Sequence, residues 1–342
     1  MAKGKTKVIF SCILIAFFTT LLALSCQRKG DRLFKETRHA MYTITSLTVV
    51  ASTETHAKGA IEAAFNELKR LEAMLNYYSK HSEVSQINQM AGIGPVKVSK
   101  ETLEIVSKSL EASRLTEGGF DITVGPLIAL WDFEAKRVPL PSDIKRALKK
   151  VGYKELVVDT SKGTVFLQKR GMEINLGGII KGYAAHKATE VLKARGIKAG
   201  IVSVGGDIQA FGHRPDGKGW NIGIQEPRPK VNKDEIIGSI AISDRCISTS
   251  GDYEKYFEQG DKRYHHILNP TTGFPAEGIR AITVVATEGA LCDALATGLF
   301  VLGVDRALQR MVDKGIEGLI IDDRGQVHMT PWFRRHFIKK GA

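Results

Sequence analysis

Residues 173–184 read EINLGGIIKGYA. An apolar stretch runs into the pair Gly177-Gly178, and Ile179 to Ala184 continue at helical spacing. The pattern predicts a strand feeding a helix through a glycine turn. Paired glycines let backbone approach a ligand closely, and a helix N-terminus offers unpaired N–H groups to an anion. Lys181 adds a positive charge in the first turn. Neither the P-loop pattern GxxxxGK[ST] nor GxGxxG is present. Taken alone, an ordinary tight turn explains the stretch equally well.

Working outward, the same grammar repeats. The helix over 181–195 stops at Gly196, and 200–204 reads as the next strand. Upstream, 41–51 is a Thr- and Val-rich strand, and 56–77, 101–116 and 142–150 are helices, with Ser99 placed as an N-cap. Residues 156–159 and 164–168 form a hairpin around Ser161-Lys162-Gly163. Downstream, strands are expected at 220–225, 238–242 and 279–286, helices at 289–300 and 305–314, and a closing strand pair at 318–322 and 326–329. Strands between helices, with several hairpin spacings, predict an α+β fold with much antiparallel sheet.

Five further segments carry chemistry. SVGGD at 203–207 and the hydroxyl run ISTSGDYE at 247–254 each bring glycine beside polar groups. GGFDITVGPLIALW at 118–131 brackets Asp121 with glycines and a proline. HHILNPTTG at 265–273 is a loop holding an imidazole able to act as base, ligand or hydrogen-bonding partner. CDALAT at 292–297 puts Asp293 and Thr297 on one helix face at i,i+4. That pair offers two hard oxygens of the kind Mg²⁺ takes; a plain surface pair has the same spacing. Together with the glycine turn, these favour a phosphate-containing ligand.

The bulk numbers are those of a globular protein: 43% hydrophobic and 25% charged over 342 residues. The net charge of +12 is spread along the chain, and no nucleic-acid-binding signature appears, so no nucleic-acid partner is expected. Lys3, Lys5 and Lys7 precede an uncharged apolar run over 8–24, which ends at Leu24-Ser25-Cys26. That is the layout of a signal peptide over 1–25, with Cys26 lipidated as the first mature residue. A single-span anchor is the alternative, because the run approaches membrane-spanning length. Either way the body is expected outside the cytoplasm, facing the periplasm or the cell exterior. Gln27 after the cysteine favours an outer-membrane address in a Gram-negative cell. Residues 26–38 are expected to be a lipid anchor and tether, 39–330 the folded domain and 331–342 a basic tail. Cys246 and Cys292 are expected to be buried free thiols, although an oxidising compartment would permit pairing.

The ordered set GGFDITVGPLIALW, NLGGIIKGYA, SVGGD, ISTSGDYE, HHILNPTTG and CDALAT resembles the ApbE family, the FAD:protein FMN transferases. The resemblance covers about Met41 to about Asp322 and fits a lipoprotein leader. It implies two intimately packed α/β lobes with largely antiparallel sheet and FAD between them. It implies Mg²⁺ on the Gly178 carbonyl, Asp293 and Thr297. FAD, the substrate, is then expected to contact Met41, Tyr78, Gly119, Phe120, Asp121, Asn175, Lys181 and Ile267. His266 and Lys181 are the catalytic candidates. The family often carries Asp where this chain has Asn175, which removes any role that needs a charge there.

The implied reaction moves FMN from FAD to a Ser or Thr hydroxyl of an exported or membrane flavoprotein, such as a redox-pump subunit, and releases AMP. Such a step needs positioning and charge neutralisation. The N–H groups after Gly178 and Lys181 are expected to hold negative charge. Two alternatives stay open: a Mg²⁺-dependent FAD pyrophosphatase, and an FAD-binding lipoprotein without catalysis.

Overall fold

The computed structural model describes residues 30–341 apart from 231 and 233. The expected signal peptide, the lipid site at Cys26 and the apolar run over 8–24 lie outside the described residues. No described helix is long and apolar enough to cross a membrane.

An eight-stranded antiparallel sheet organises the molecule. Its strands follow chain order: β1 (Arg32–Ala40), β2 (Thr43–Ala51), β3 (Gly200–Val204), β4 (Asp207–Phe211), β5 (Cys246–Gly251), β6 (Ile279–Ala286), β7 (Glu317–Asp322) and β8 (Val327–Met329). Four helices matter to the site: α1 (Glu54–Leu75), α2 (Lys100–Leu115), α3 (Ile180–Ala194) and α4 (Gly289–Leu302). The α+β class and the largely antiparallel sheets are those expected from the sequence.

The alternation of side chains decides what each face covers. On β6, Ile282 and Val284 pack under α4, while Ala281 and Val285 face a three-stranded sheet of Trp220–Gln225, Ile236–Ile242 and Phe337–Lys339. Helix α1 buries Ala57, Ile61, Ala64, Leu68, Leu71 and Leu75 along one stripe against α3, β1 and β2. Each fully buried leucine there contributes roughly 1.5–3 kcal/mol. Thr53 caps α1 through His56 N at 3.3 Å, and Ser99 caps α2 through Thr102 N at 3.2 Å, as its position predicts. A smaller aromatic core around Trp131, Phe257, Phe274 and Leu268 holds the 269–273 loop, and the Trp131 indole donates to Gly273 O at 3.0 Å.

Two expectations about the chain's margins need correction. Residues 32–40, mostly expected as tether, form β1, paired with β2 along its whole length. Its charged, alternating sequence RLFKETRHA suits a sheet edge, where charge discourages further pairing. The expected tail is part of the fold: Pro331–His336 is helical, and Phe337–Lys339 pairs with Ile236–Ile242.

Register sorts the sheet into two ends. At one end lie the β1–β2 turn at Met41-Tyr42 and the β3–β4 turn at Gly205-Gly206, since Thr45 pairs with Val204 and Val204 with Asp207. At the other lie Arg32, Ala51, Gly200 and Phe211, since Arg32 pairs with Ala51, Val49 with Gly200 and Gly200 with Phe211. The chemistry-bearing segments gather at the first end.

Candidate functional site

The site begins where α3 and α4 cross. A Cβ on Gly182 would lie 2.1 Å from Gly289 O, and one on Gly289 2.2 Å from Gly182 O. The helices therefore touch backbone to backbone, one turn before Asp293. Asp293 is 3% exposed, and its Oδ2 accepts from Gly182 N at 3.0 Å. No side chain of its own segment caps α3, so Asp293 does so across the crossing. Gly182→Ala is expected to destabilise the fold by about 3 kcal/mol or more, because neither backbone can yield. Urea unfolding checks this, and an unchanged midpoint would mean that the helices separate without cost.

Thr297 follows one turn along α4. A Cβ on Gly178 would sit 3.3 Å from Thr297 Oγ1, so the glycine turn lies against this hydroxyl. Ser250 of β5 reaches the same hydroxyl, Oγ to Oγ1 at 3.2 Å. Lys181 extends to Asp207, which is 2% exposed, and the two form a close ion pair. The structure thus brings Gly178, Lys181, Asp293 and Thr297 together, and adds Ser250 and Asp207.

The charges explain what such a cluster holds. Burial first, and the nearby Asp207 next, push the Asp293 carboxyl up to about 7, against the pull of Lys181 and two backbone N–H groups. Burial alone would lower the Lys181 ammonium, but Asp207 and Asp293 outweigh it and raise its pKa above the ordinary value. Two carboxylates face one ammonium, so the cluster is short of positive charge. Its free donors are hard oxygens beside a glycine turn. This set fits a small divalent cation such as Mg²⁺.

The N–H groups of α3 do not match the expectation. Those of Ile179 and Ile180 donate to Leu176 O, that of Tyr183 to Ile179 O, and that of Gly182 to Asp293. The helix N-terminus is satisfied internally, which leaves the Lys181 ammonium as the positive group beside the turn. Asn175 Oδ1 accepts from Gly177 N at 2.8 Å and so pins the glycine turn. That turn needs only an acceptor oxygen, which Asn supplies as well as Asp.

The other candidates divide. Phe120 is buried, its ring against Gly178, and Gly119 packs on Gly298 O where a Cβ would lie at 2.4 Å. Asp121 accepts from Thr123 N and Tyr153 N, each at 2.8 Å, and burial raises its pKa against those bonds. It lines a 480 Å³ cavity with Tyr153, Lys169 and Thr271. Met41 and Tyr42 take left-handed φ of 55° and 59° in the β1–β2 turn, and Glu72 accepts from Met41 N at 2.6 Å. Non-glycine residues there store strain, a frequent mark of a working site. This turn borders Lys181 through Thr43 and Gly205. Tyr78 is 79% exposed, set edge-on to Tyr77 at 5.1 Å, and tied through Asn76 to Tyr42. Ile267 is buried, with its N–H on His265 and its carbonyl on Ala276, so little of it is left for a ligand.

The adjacent histidines take opposite roles. His265 uses both ring nitrogens, Nε2 to Ala276 O at 2.8 Å and Nδ1 to Ile267 N. His266 reaches solvent; its Nδ1 faces Lys255 O at 3.3 Å, which is possible only as a donor. The neutral ring then carries its proton on Nδ1 and leaves the Nε2 lone pair free. Protein crowding first, then His265 and the cations of Lys181 and Lys255, push its pKa down to about 4. It is a neutral acceptor at ordinary pH.

Sequence reasoning gave no role to Gly289, Gly182, Asp207 or Ser250, although all but Gly289 stand in segments it quoted, the last two in polar runs. Their signal was the polar residue after a glycine pair and the hydroxyl run. The thiols of Cys246 and Cys292 are buried and free. A larger cavity of 590 Å³, between Arg228 and Arg280, holds none of the candidate residues. The Arg228–Asp252 pair lines it, with bonds of 2.8 and 2.6 Å.

A model of the ApbE family matches residues 41–320. The chain is 34% identical over 254 residues to the FAD:protein FMN transferase of Klebsiella pneumoniae, covering 73% of this chain and 78% of that one. It is 31% identical over 315 residues to the FAD:protein FMN transferase of Haemophilus influenzae, covering 89% of each. The crystal structure of the ApbE protein from Thermotoga maritima superposes with a TM-score of 0.82 at 32% identity, covering 89% of this chain and 99% of that one.

Proposed function

This chain belongs to the ApbE family, and on that premise we propose that it transfers FMN from FAD to a Ser or Thr hydroxyl of another protein, with Mg²⁺ bound at Asp293, Thr297 and the Gly178 carbonyl. The observation that carries this reading is the cluster of buried Asp293 and Asp207 with half-buried Lys181, Thr297 and Ser250. Mg²⁺ held there supplies neutralisation of the pyrophosphate charge.

The chain's own residues do the rest. Asp207 holds the Lys181 ammonium beside the glycine turn, where a phosphate oxygen is met by positive charge. Asn175 keeps that turn open, and Phe120 supports it from beneath. The exposed ring of Tyr78 and the strained Met41-Tyr42 turn form the rim on which a flat ring system stacks. His266 Nε2 takes the acceptor's proton as its oxygen forms a bond to the FMN phosphorus. The pyrophosphate bond breaks, and AMP leaves with the bridging oxygen. AMP released in step with flavin-bearing acceptor supports transfer. Free FMN and AMP, formed equally with and without acceptor, would replace it with FAD hydrolysis.

We propose further that the body is exported and tethered through lipid on Cys26. The basic leader, the apolar run and the small residue before Cys26 support this. The mature chain is expected to begin at a lipid-modified Cys26, read by mass spectrometry of its N-terminal peptide. An N-terminal peptide that still carries residues 8–24 would favour a single-span anchor.

A further inference from the structure

We propose that the end of the molecule opposite the site is a docking surface for the anionic headgroups of a lipid bilayer. The described chain joins the fold at that end, where Arg32 opens β1 against Ala51. Around it stand Arg32, Lys193, Arg195, Lys198, Lys218 and Arg245, from β1, the last turn of α3, the α3–β3 loop and two further turns. Register places them together. Phe211 pairs with Gly200, Trp220 donates to Phe211 O, and Arg245 O accepts from Ala210 N.

None of the six forms an ion pair among the described residues. Three lie over aromatic rings instead: Arg32 over Phe34 at 5.4 Å, Lys193 over Phe211 at 5.4 Å and Arg245 over Trp332 at 4.8 Å. The acids nearby are engaged. Glu54 pairs with Lys58 at 2.7 Å, Asp216 with Arg214 at 3.3 Å, and Asp244 accepts from Gly212 N at 3.0 Å. Asp31, beside Arg32, and Asp244, beside Arg245, each offset one charge, which leaves a surplus of four among these residues.

The cations are spread over several loops at one end of a sheet, rather than along a groove, and that suits a broad anionic plane. Each Lys or Arg near such a surface tightens binding by about fivefold. The sequence preceding Arg32 holds the apolar run and Cys26, so a tethered chain presents this end to its membrane. The site then points away from the bilayer. β1 has nine residues, and at about 3.3 Å each it spans about 30 Å. Acceptor hydroxyls are therefore reached about 30 Å above the headgroups, on domains that project from the membrane.

The orientation rests on the tethered reading above, whereas the binding is measured without the tether, so the two fail separately. Every strand of the central sheet finds its partners within residues 32–329, so a body lacking residues 1–29 keeps its core. That body is sedimented with phosphatidylcholine vesicles, pure or with a third of phosphatidylglycerol, at low and high salt. Binding is expected only to the anionic vesicles and is lost at high salt. Lys193→Glu, Lys198→Glu and Lys218→Glu combined should weaken it about 100-fold or more, with unchanged flavin transfer to a soluble acceptor. The same charge change at the exposed Lys136, Lys145 and Lys149, on the Trp131 unit, should leave most of the binding. Equal binding to neutral vesicles, or equal loss from both triple variants, would overturn the proposal.

Discussion

Asp293→Asn is expected to slow flavin transfer about 1,000-fold or more while the fold stays intact. Asparagine keeps the shape and can still accept from Gly182 N, so α3 remains capped. What it loses is one of two carboxylates set against a single ammonium. At about 4 Å and an effective dielectric near 20, one charge on a bound cation is worth about 4 kcal/mol, roughly a thousandfold. The stability change runs the other way. The folded carboxyl has a raised pKa, so its favourable contribution is complete below the ordinary carboxylate range and is lost as pH rises through about 7. At pH 8 without cation, the variant should melt no lower than the parent. Mg²⁺ should raise the parent's melting temperature and leave the variant's unchanged. A variant that is both stable and fully active would remove the metal role from Asp293.

The second large effect is expected at His266. Its Nδ1–H bond to Lys255 O leaves Nε2 as a free acceptor, and a positioned base contributes about 10²–10⁴-fold. His266→Ala should lose that much in kcat. Because the folded pKa lies near 4, the parent's rate at saturating Mg²⁺, which keeps Asp293 ionised, should stay level from pH 8 down past the ordinary imidazole value and fall only well below it. An acid limb at about 6.5 would show an unperturbed group, and no loss in His266→Ala would assign the proton elsewhere. His265→Ala serves as the contrast. Both its ring nitrogens are spent on the protein, so it should lower stability more than rate.

Local pattern carried much of the fold. The periodic stripe of α1, the Ser99 cap and the Gly196 stop were all legible, because each depends on neighbours in sequence. β1 was not, since its charges resemble a tether until β2 is placed beside it. β5 was not, since CISTSG is a hydroxyl run without the apolar alternation of a strand. In the structure its Thr249 meets Thr283 at 2.8 Å across the sheet. The site divides in the same way. Asp293 and Thr297 show their shared face by spacing alone. The Lys181–Asp207 pair needs the β3–β4 turn to fold back, and the Gly182–Gly289 contact needs two helices distant in sequence to cross. That crossing also takes up an N–H group of α3 that its own segment leaves open: the partner helix brings Asp293 to Gly182 N.

The most direct test of the central claim is the mass of an acceptor protein after incubation with this chain, FAD and Mg²⁺. The account predicts a gain equal to one FMN phosphoryl group on a Ser or Thr, prevented by EDTA and absent with Asp293→Asn. An acceptor of unchanged mass beside FAD cleaved to FMN and AMP would contradict it.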